Sequence, residues 1–414
     1  MRLVIYGINY RPELTGIGKY SGEMAEWLAA RGHEVRVVTA PPYYPQWQVA
    51  VNYSQWNYCR ETLGSVDVWR CPLWVPNRPS GLKRILHLAS FALASFPVML
   101  FQMFWRPNII LVVEPPLFCS PISLFVSRLC GARSWLHVQD FEVDAAFDLG
   151  VLSSPRLRRS VLKVERWLMG KFGRVSTISD QMITRLDGKG VLPERQVLFS
   201  NWADTEHIHP LESPGTFREQ LGIAVSETVF LYSGNMGEKQ GLEIVVEAAR
   251  RLVKREDIVF VMCGQGAAYS RLRDLADGLG NILWLPLQPL DRLNELLNLA
   301  DVHLLPQRAD AADLVMPSKL TGMLASGRPV LATAFEGTQI AQVLESSGVI
   351  VPPDNVDLFV NAMLDLAGNA EQRLQLGKNA RDYAVEYLGR DAVLTRFEES
   401  LQDCISGNRP KTKH

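Results

Sequence analysis

Met1-Arg2-Leu3-Val4-Ile5-Tyr6, and beyond it Gly16-Ile17-Gly18-Lys19-Tyr20-Ser21-Gly22, is the stretch from which the fold is read. The first run is short and apolar, the pattern of a strand buried on both faces. Glycines then turn the chain, and a helical pattern follows over Lys19–Arg31, closed by Gly32. Strand, glycine turn and helix in that order open a parallel α/β sheet. The opening run reads as this first strand and not as a signal peptide.

Working outward, the same alternation predicts strands at Leu3–Gly7, Val35–Thr39, Asp67–Cys71, Ile109–Val113, Ser134–Val138, Val175–Ile178 and Val197–Phe199. It restarts after residue 225, with strands expected at Val229–Tyr232, Ile258–Cys263, Ile282–Leu285, Val302–Leu305, Pro329–Thr333 and Val349–Val351. The interval Asp204–Ser226 carries Pro210 and Pro214 without a sustained core pattern and reads as the link. Beyond Asp354 the pattern is helical to about Ile405. At 414 residues two cores are the default. The expected organisation is a Rossmann-like domain over 1–205, a second over 206–385, a terminal helix over 386–405 and a frayed basic tail over 406–414.

Composition excludes several classes. With 47% hydrophobic and 21% charged residues the chain is globular, and a net charge of −1 gives no reason to expect nucleic acid. The six cysteines are scattered and mostly sit in apolar runs, with no Cys-x-x-Cys pair and no metal-like spacing with histidine. That usage points to a reducing, cytoplasmic setting.

Gly16-x-Gly18-x-x-x-Gly22 at a helix start is suited to an anionic ligand, since glycine lets the backbone approach and the helix N-terminus offers free N–H groups. A dinucleotide enzyme would also need a carboxylate at the end of the second strand. That strand ends Val37-Val38-Thr39-Ala40-Pro41-Pro42, without one. A tight turn with no ligand remains the alternative.

Four segments together carry a resemblance: the Gly16–Gly22 loop, Ser200-Asn201-Trp202-Ala203-Asp204, Gly234-Asn235-Met236-Gly237, and Pro317-Ser318-Lys319 running on to Gly327-Arg328-Pro329-Val330. In order and spacing the chain resembles glycosyltransferase family 4. The resemblance implies the GT-B fold, with two Rossmann-like domains facing a central cleft and the terminal helix over 386–405 returning to the N-terminal domain. It also implies metal-independent transfer of a sugar from a nucleoside diphosphate donor with retention of configuration. The absence of any Asp-x-Asp agrees with that. Exopolysaccharide assembly, an undecaprenyl-diphosphate-linked sugar acceptor, the inner face of the cytoplasmic membrane and GDP-fucose as leading donor follow from the resemblance alone. No cofactor is implied.

The family pattern is transferred residue by residue. Gly16, Gly18, Asn235, Lys239, Gly264, Gly266, Asp313, Pro317, Ser318 and Lys319 are the candidate donor contacts. Asn235 stands where the family has arginine and Gln240 where it has lysine, with Lys239 one position away. A diphosphate needs compensating charge or dense amide donation, so Lys319, at a helix opened by Pro317, becomes the leading cation. A lysine on a solvated helix face is the competing reading. The Glu-x7-Glu pair is replaced by Leu314 and Gly322, and Asp310 or Asp313 could take one role. In the first half, His137 at the end of a strand fits either a donor-sugar contact or a buried, satisfied histidine. Asp140 and Glu142 are candidates for positioning the acceptor or accepting its proton.

Two segments bear on membranes. Residues 85–105 are long and apolar enough to span a bilayer, but His87, Pro97, Gln102 and a position between strands favour an embedded or core-packed helix. Residues 156–174 carry seven basic residues against Glu165. Leu157, Val161, Val164, Leu168 and Phe172 there form a stripe at helical spacing, so the basic face fits anionic lipid or plain solvation. Two other functions stay open: a sugar-nucleotide epimerase, and a non-catalytic scaffold of a polysaccharide assembly complex.

Overall fold

The computed structural model describes residues 1–13, 16–77, 81–144, 155–213, 215–309 and 318–407. The chain divides into two compact units, one of residues 1–200 with 394–414 and one of residues 201–393. The sequence reading had set these divisions at 205 and 385.

In the N-terminal unit the described residues form an eight-stranded sheet. Its strands are β1 (Arg2–Tyr6), β2 (Glu34–Thr39), β3 (Cys59–Leu63), β4 (Val66–Arg70), β5 (Ile109–Glu114), β6 (Arg133–Val138), β7 (Arg174–Thr177) and β8 (Gln196–Leu198). The order is β3-β4-β2-β1-β5-β6-β7-β8, parallel throughout except for β3, which runs antiparallel to β4. β5 is buried along its whole length, which is why Ile109–Val113 reads as an unbroken apolar run. β3 escaped the sequence reading for the opposite reason. It is a polar edge strand with no apolar alternation, hinged to β4 at Gly64.

Helices α1 (Gly16–Ala30), α2 (Gly81–Gln102), α3 (Cys119–Cys130), α4 (Pro155–Met169) and α5 (Asp180–Gly188) connect these strands. α2 and α3 pack side by side. Among the described residues, Gly81–Trp105 is the one helical stretch long and apolar enough to cross a bilayer, yet nearly half of it is buried within the protein. The expectation that it packs on the core instead of spanning agrees with this. α4 departs from its expected stripe. Leu168 and Phe172 are buried, but Val164 is exposed and the side chain drawn inward is Glu165. Lys189, just past α5, holds Glu165 at 2.8 Å and also meets Asp144 at 2.9 Å. An ion pair has taken the place that the periodicity assigned to an apolar residue.

The C-terminal unit holds six parallel strands among the described residues, in the order β11-β10-β9-β12-β13-β14. They are β9 (Thr228–Ser233), β10 (Ile258–Cys263), β11 (Ile282–Leu285), β12 (Val302–Leu305), β13 (Val330–Thr333) and β14 (Gly348–Val351). The helices are α6 (Phe217–Gln220), α7 (Glu243–Arg251), α8 (Tyr269–Leu275), α9 (Leu293–Leu299), α10 (Ser318–Ala325), α11 (Gln339–Leu344), α12 (Val356–Gly368) and α13 (Ala370–Tyr383). The interval read as a link lies inside this unit, where Ile208, Phe217 and Ile223 are buried. Its apolar residues are too far apart to show a period.

The last helix, α14 (Arg390–Ser406), carries its residues from 394 onward into the N-terminal unit. There Phe397 stacks on Phe199 with centroids 3.7 Å apart and meets Trp135 edge-on at 5.4 Å. Glu398 accepts from Arg31 at 2.7 Å and lies 2.6 Å from the His33 ring.

Candidate functional site

In a parallel sheet the loops at the carboxyl ends of the strands present ligands. In the C-terminal unit two such loops, after β9 and β10, lie against each other. Met236 N–H donates to Gln265 O at 2.8 Å, and Ala268 N–H to Met236 O at 2.9 Å. Gly264 makes the approach possible. Its φ is +148°, and a Cβ there would stand 1.9 Å from the Gly234 carbonyl oxygen. A side chain at 264 would therefore push the two loops apart.

Lys319, in the first turn of α10, reaches this loop pair. Its Nζ donates to the Tyr232 hydroxyl at 3.1 Å and stands 4.2 Å from the centre of that ring. Tyr232 in turn donates to Asn235 O at 2.5 Å. Among the described residues no carboxylate pairs with Lys319, and burial pulls its ammonium down to about 7. A desolvated lysine with no acidic partner among the described residues, beside a glycine-rich loop, has the chemistry to pair with an anion.

The other candidates here are placed as follows. Asn235 is exposed at the loop tip, and its Oδ1 lies 2.8 Å from where a Gly266 Cβ would be. Gln240 turns back to accept from Gly237 N–H at 2.9 Å, closing the loop on itself. Asp313 and Pro317 lie outside the described residues, as do Asp310 and Leu314, and the side chains of Lys239 and Ser318 are likewise outside what is described. Gly322 packs near Leu297 and Ile208.

In the N-terminal unit the Gly16–Gly22 loop is held by its own neighbours. Glu13, buried at the turn, accepts from Tyr43 N–H and Tyr44 N–H at 3.0 Å each and from Asn9 at 2.9 Å. A Cβ on Gly18 would fall 2.7 Å from Glu13 Cβ, and one on Gly22 would fall 2.3 Å from Arg11 Cγ. Arg11 passes over Gly22 to reach Glu26 at 2.6 Å. The space left by these two glycines is filled by the protein's own side chains, whereas Gly16, at φ +60°, has only Tyr44 at the edge of contact.

His137 is fully enclosed. Its Nδ1 is 2.9 Å from Ser176 Oγ, its Nε2 is 2.9 Å from Gln139 Nε2, and its ring lies 4.8 Å from Phe199. Burial lowers its pKa to about 3, so the ring is neutral at pH 7. Of its two expected roles, the buried and satisfied one describes this arrangement. Asp140 is exposed, and Glu142 is half-buried and accepts from Leu117 N–H at 2.8 Å. Burial raises both carboxyls, and the nearby Arg84 charge opposes the rise.

Residues 15–202 match the family described as a glycosyl transferase 4-like domain, and residues 215–383 match glycosyl transferases group 1. Over 416 aligned residues the chain is 45% identical to the putative colanic acid biosynthesis glycosyl transferase WcaI of Escherichia coli K12, spanning 97% of this chain and all of that one. The chain belongs to glycosyltransferase family 4. An N-acetyl-alpha-D-glucosaminyl L-malate synthase of Bacillus anthracis is 23% identical over 99% of both chains.

Solved structures show that this glycosyltransferase has the GT-B fold. Sucrose-phosphate synthase of Thermosynechococcus elongatus superposes with a TM-score of 0.73 at 18% identity, covering 98% of this chain and all of that one. Anabaena HepE, solved in complex with UDP, gives 0.69 at 15%, covering 97% and 100%.

Three residues of this glycosyltransferase escaped the sequence reading. Arg308 runs along the loop, its Cγ 2.9 Å from where a Gly241 Cβ would be, next to the position where the family carries lysine. Glu114, at the end of β5, is buried with neither carboxylate oxygen hydrogen-bonded, and burial holds it well above the ordinary carboxylate range. Glu13 is the third. A carboxylate at a strand's carboxyl end, as in Val113-Glu114-Pro115, was the available signal for Glu114. Nothing in sequence spacing brings Arg308 to Gly241.

Proposed function

We propose that this glycosyltransferase transfers a sugar, with fucose from GDP-fucose the leading choice, onto an undecaprenyl-diphosphate-linked glycan in colanic acid exopolysaccharide biosynthesis. Transfer proceeds with retention and without a metal. The observation that carries the donor reading is Lys319, desolvated, without an acidic partner among the described residues and set at the paired glycine loops. The likeness to WcaI supports the pathway.

In this mechanism the donor diphosphate completes the site. Lys319 and the amides of the 234–237 and 264–266 loops stabilise the charge that develops as the nucleoside diphosphate departs. Arg308 supplies further charge beside Gly241. The acceptor hydroxyl attacks from the same face through an oxocarbenium-like transition state, with Asp140 or Glu142 positioning it or taking its proton. No nucleophile is assigned.

The free thiols support a cytoplasmic setting. A cavity of about 980 Å³ beside α4 and α5, lined by Arg156, Lys163, Arg166 and Arg185, supports contact with an anionic membrane surface or a phosphorylated acceptor. Thermal shift with GDP, GDP-fucose, UDP and UDP-glucose tests the donor. Stabilisation by the guanosine pair alone is expected, and stabilisation by the uridine pair alone would sink that assignment.

A further inference from the structure

α2 and α3 are apolar on their outer faces as well as on the faces they bury, and part of what they bury is polar. On α2 the polar side chains His87, Ser95 and Gln102 are fully buried, while Leu93 is 76% exposed and Phe104, in the turn that follows, is 82% exposed. Each of these three makes a hydrogen bond within the protein, although His87 Nε2 has no partner among the described residues. His87 Nδ1 meets Trp74 O at 2.7 Å, Ser95 meets Tyr6 at 2.5 Å, and Gln102 accepts from Arg36 at 3.1 Å. α3 likewise buries Ser120, Ser123 and Ser127, of which Ser123 donates to Ser120 O at 3.2 Å while the hydroxyls of Ser120 and Ser127 have no partner among the described residues, and it carries Phe125 and Leu129 outside.

A helix facing water places polar residues outward and apolar ones inward. Two adjacent helices that keep large apolar side chains outward, with polar groups among those they bury, describe an outer surface whose surroundings are apolar. Leu86, Leu93, Phe96 and Phe101 lie on one side of α2, and from Leu86 to Phe104 no exposed side chain is charged. At the margins stand Lys83, Arg106 and Arg128, all exposed and none ion-paired among the described residues. Tyr58 and Trp69 flank the same helix, Tyr58 donating to Ala94 O at 2.8 Å and Trp69 lying 5.4 Å from Phe101.

We infer that the outer face of α2 and α3 enters one leaflet of a lipid bilayer to the depth of the acyl-chain boundary, with Lys83, Arg106 and Arg128 at the headgroups. Apolar centre, aromatic flank and cationic margin are what such an interface selects. The positive charge of Lys83, Arg106 and Arg128 at this margin suits lipid phosphates. The buried half of α2 excludes a span. The inference rests on the reading that the enzyme works at a lipid surface, but it assigns that contact to a face distinct from the basic side of α4.

Flotation of the full chain with vesicles, without donor or acceptor, separates the two. Wild type is expected to float with neutral phosphatidylcholine vesicles in 1 M salt, conditions that screen α4 to roughly 3 Å. Leu93→Asp and, separately, Phe104→Asp should lower the bound fraction by about tenfold or more with an unchanged melting temperature. An Arg156→Gln, Lys163→Gln, Arg166→Gln variant should keep neutral binding and lose only the salt-sensitive increment on phosphatidylglycerol vesicles. No binding of wild type to neutral vesicles overturns the inference. So does binding that survives both aspartate variants, or a wild-type dimer by light scattering that these variants split. Turnover on a soluble acceptor would sink the lipid-linked reading and leave this result standing.

Discussion

Lys319 donates from Nζ to the hydroxyl of Tyr232 at 3.1 Å, and no carboxylate answers its charge among the described residues. A lysine so placed is a poor cation until an anion arrives. With burial holding its pKa at about 7, donor binding at Lys319, as proposed, is expected to be linked to proton uptake.

Nucleoside diphosphate affinity should be greatest at or below pH 7 and should fall as pH rises above it, approaching tenfold per unit. The sign follows from the charged form being the one that binds. Calorimetry in two buffers of different ionisation enthalpy should show proton uptake on binding near pH 7.5. Binding without proton exchange there would refute the linkage.

Lys319→Met should lower turnover by roughly 100-fold or more, the loss of one transition-state donor. It should not destabilise the fold at neutral pH. The folded-state pKa is about 7 against an ordinary 10.5, so between those values the unfolded chain holds the extra proton and wild-type stability rises with pH. The variant lacks that rise. Its melting-temperature advantage should be largest near pH 7 and close towards pH 10, which thermal scans across that range would check.

Gly264→Ala should destabilise the C-terminal unit by about 3 kcal/mol, because its Cβ meets the Gly234 carbonyl at 1.9 Å. Gly278→Ala is the control. Gly278 also has a positive φ, +77°, but no atom within 4 Å of the added carbon, so about 1 kcal/mol of backbone strain is expected. Equal losses in denaturant melts would show that the loop contact does not matter.

Turnover should persist in excess chelator, since the sequence carries no Asp-x-Asp. Loss in chelator, restored by magnesium or manganese, would overturn metal independence.

The fold was legible wherever burial is two-sided. β5 and β10 are buried end to end, so their apolar runs declare themselves. β3 and the Ile208–Ile223 interval were not, because edge strands and irregular packing follow no period. At the site, Gly264 and Lys319 were visible as a turn glycine and a helix-start lysine, but their partners Gly234 and Tyr232 come from another loop and strand. Gly18 and Gly22 are also required by packing, since Glu13 and Arg11 occupy the space beside them. Pattern shows that a glycine is required, and only packing shows what it makes room for.

The stacking of Phe397 on Phe199 sets an order of events during synthesis. On a ribosome adding roughly 5–20 residues per second, the segment ending at Phe199 waits on the order of ten to forty seconds for the ring that completes its packing. Through that interval Trp135 and Phe199 have no Phe397 to cover them. A stop codon between residues 201 and 393 therefore leaves both units unfinished in different ways, the C-terminal one short of its own end and the N-terminal one short of the helix that carries Phe397.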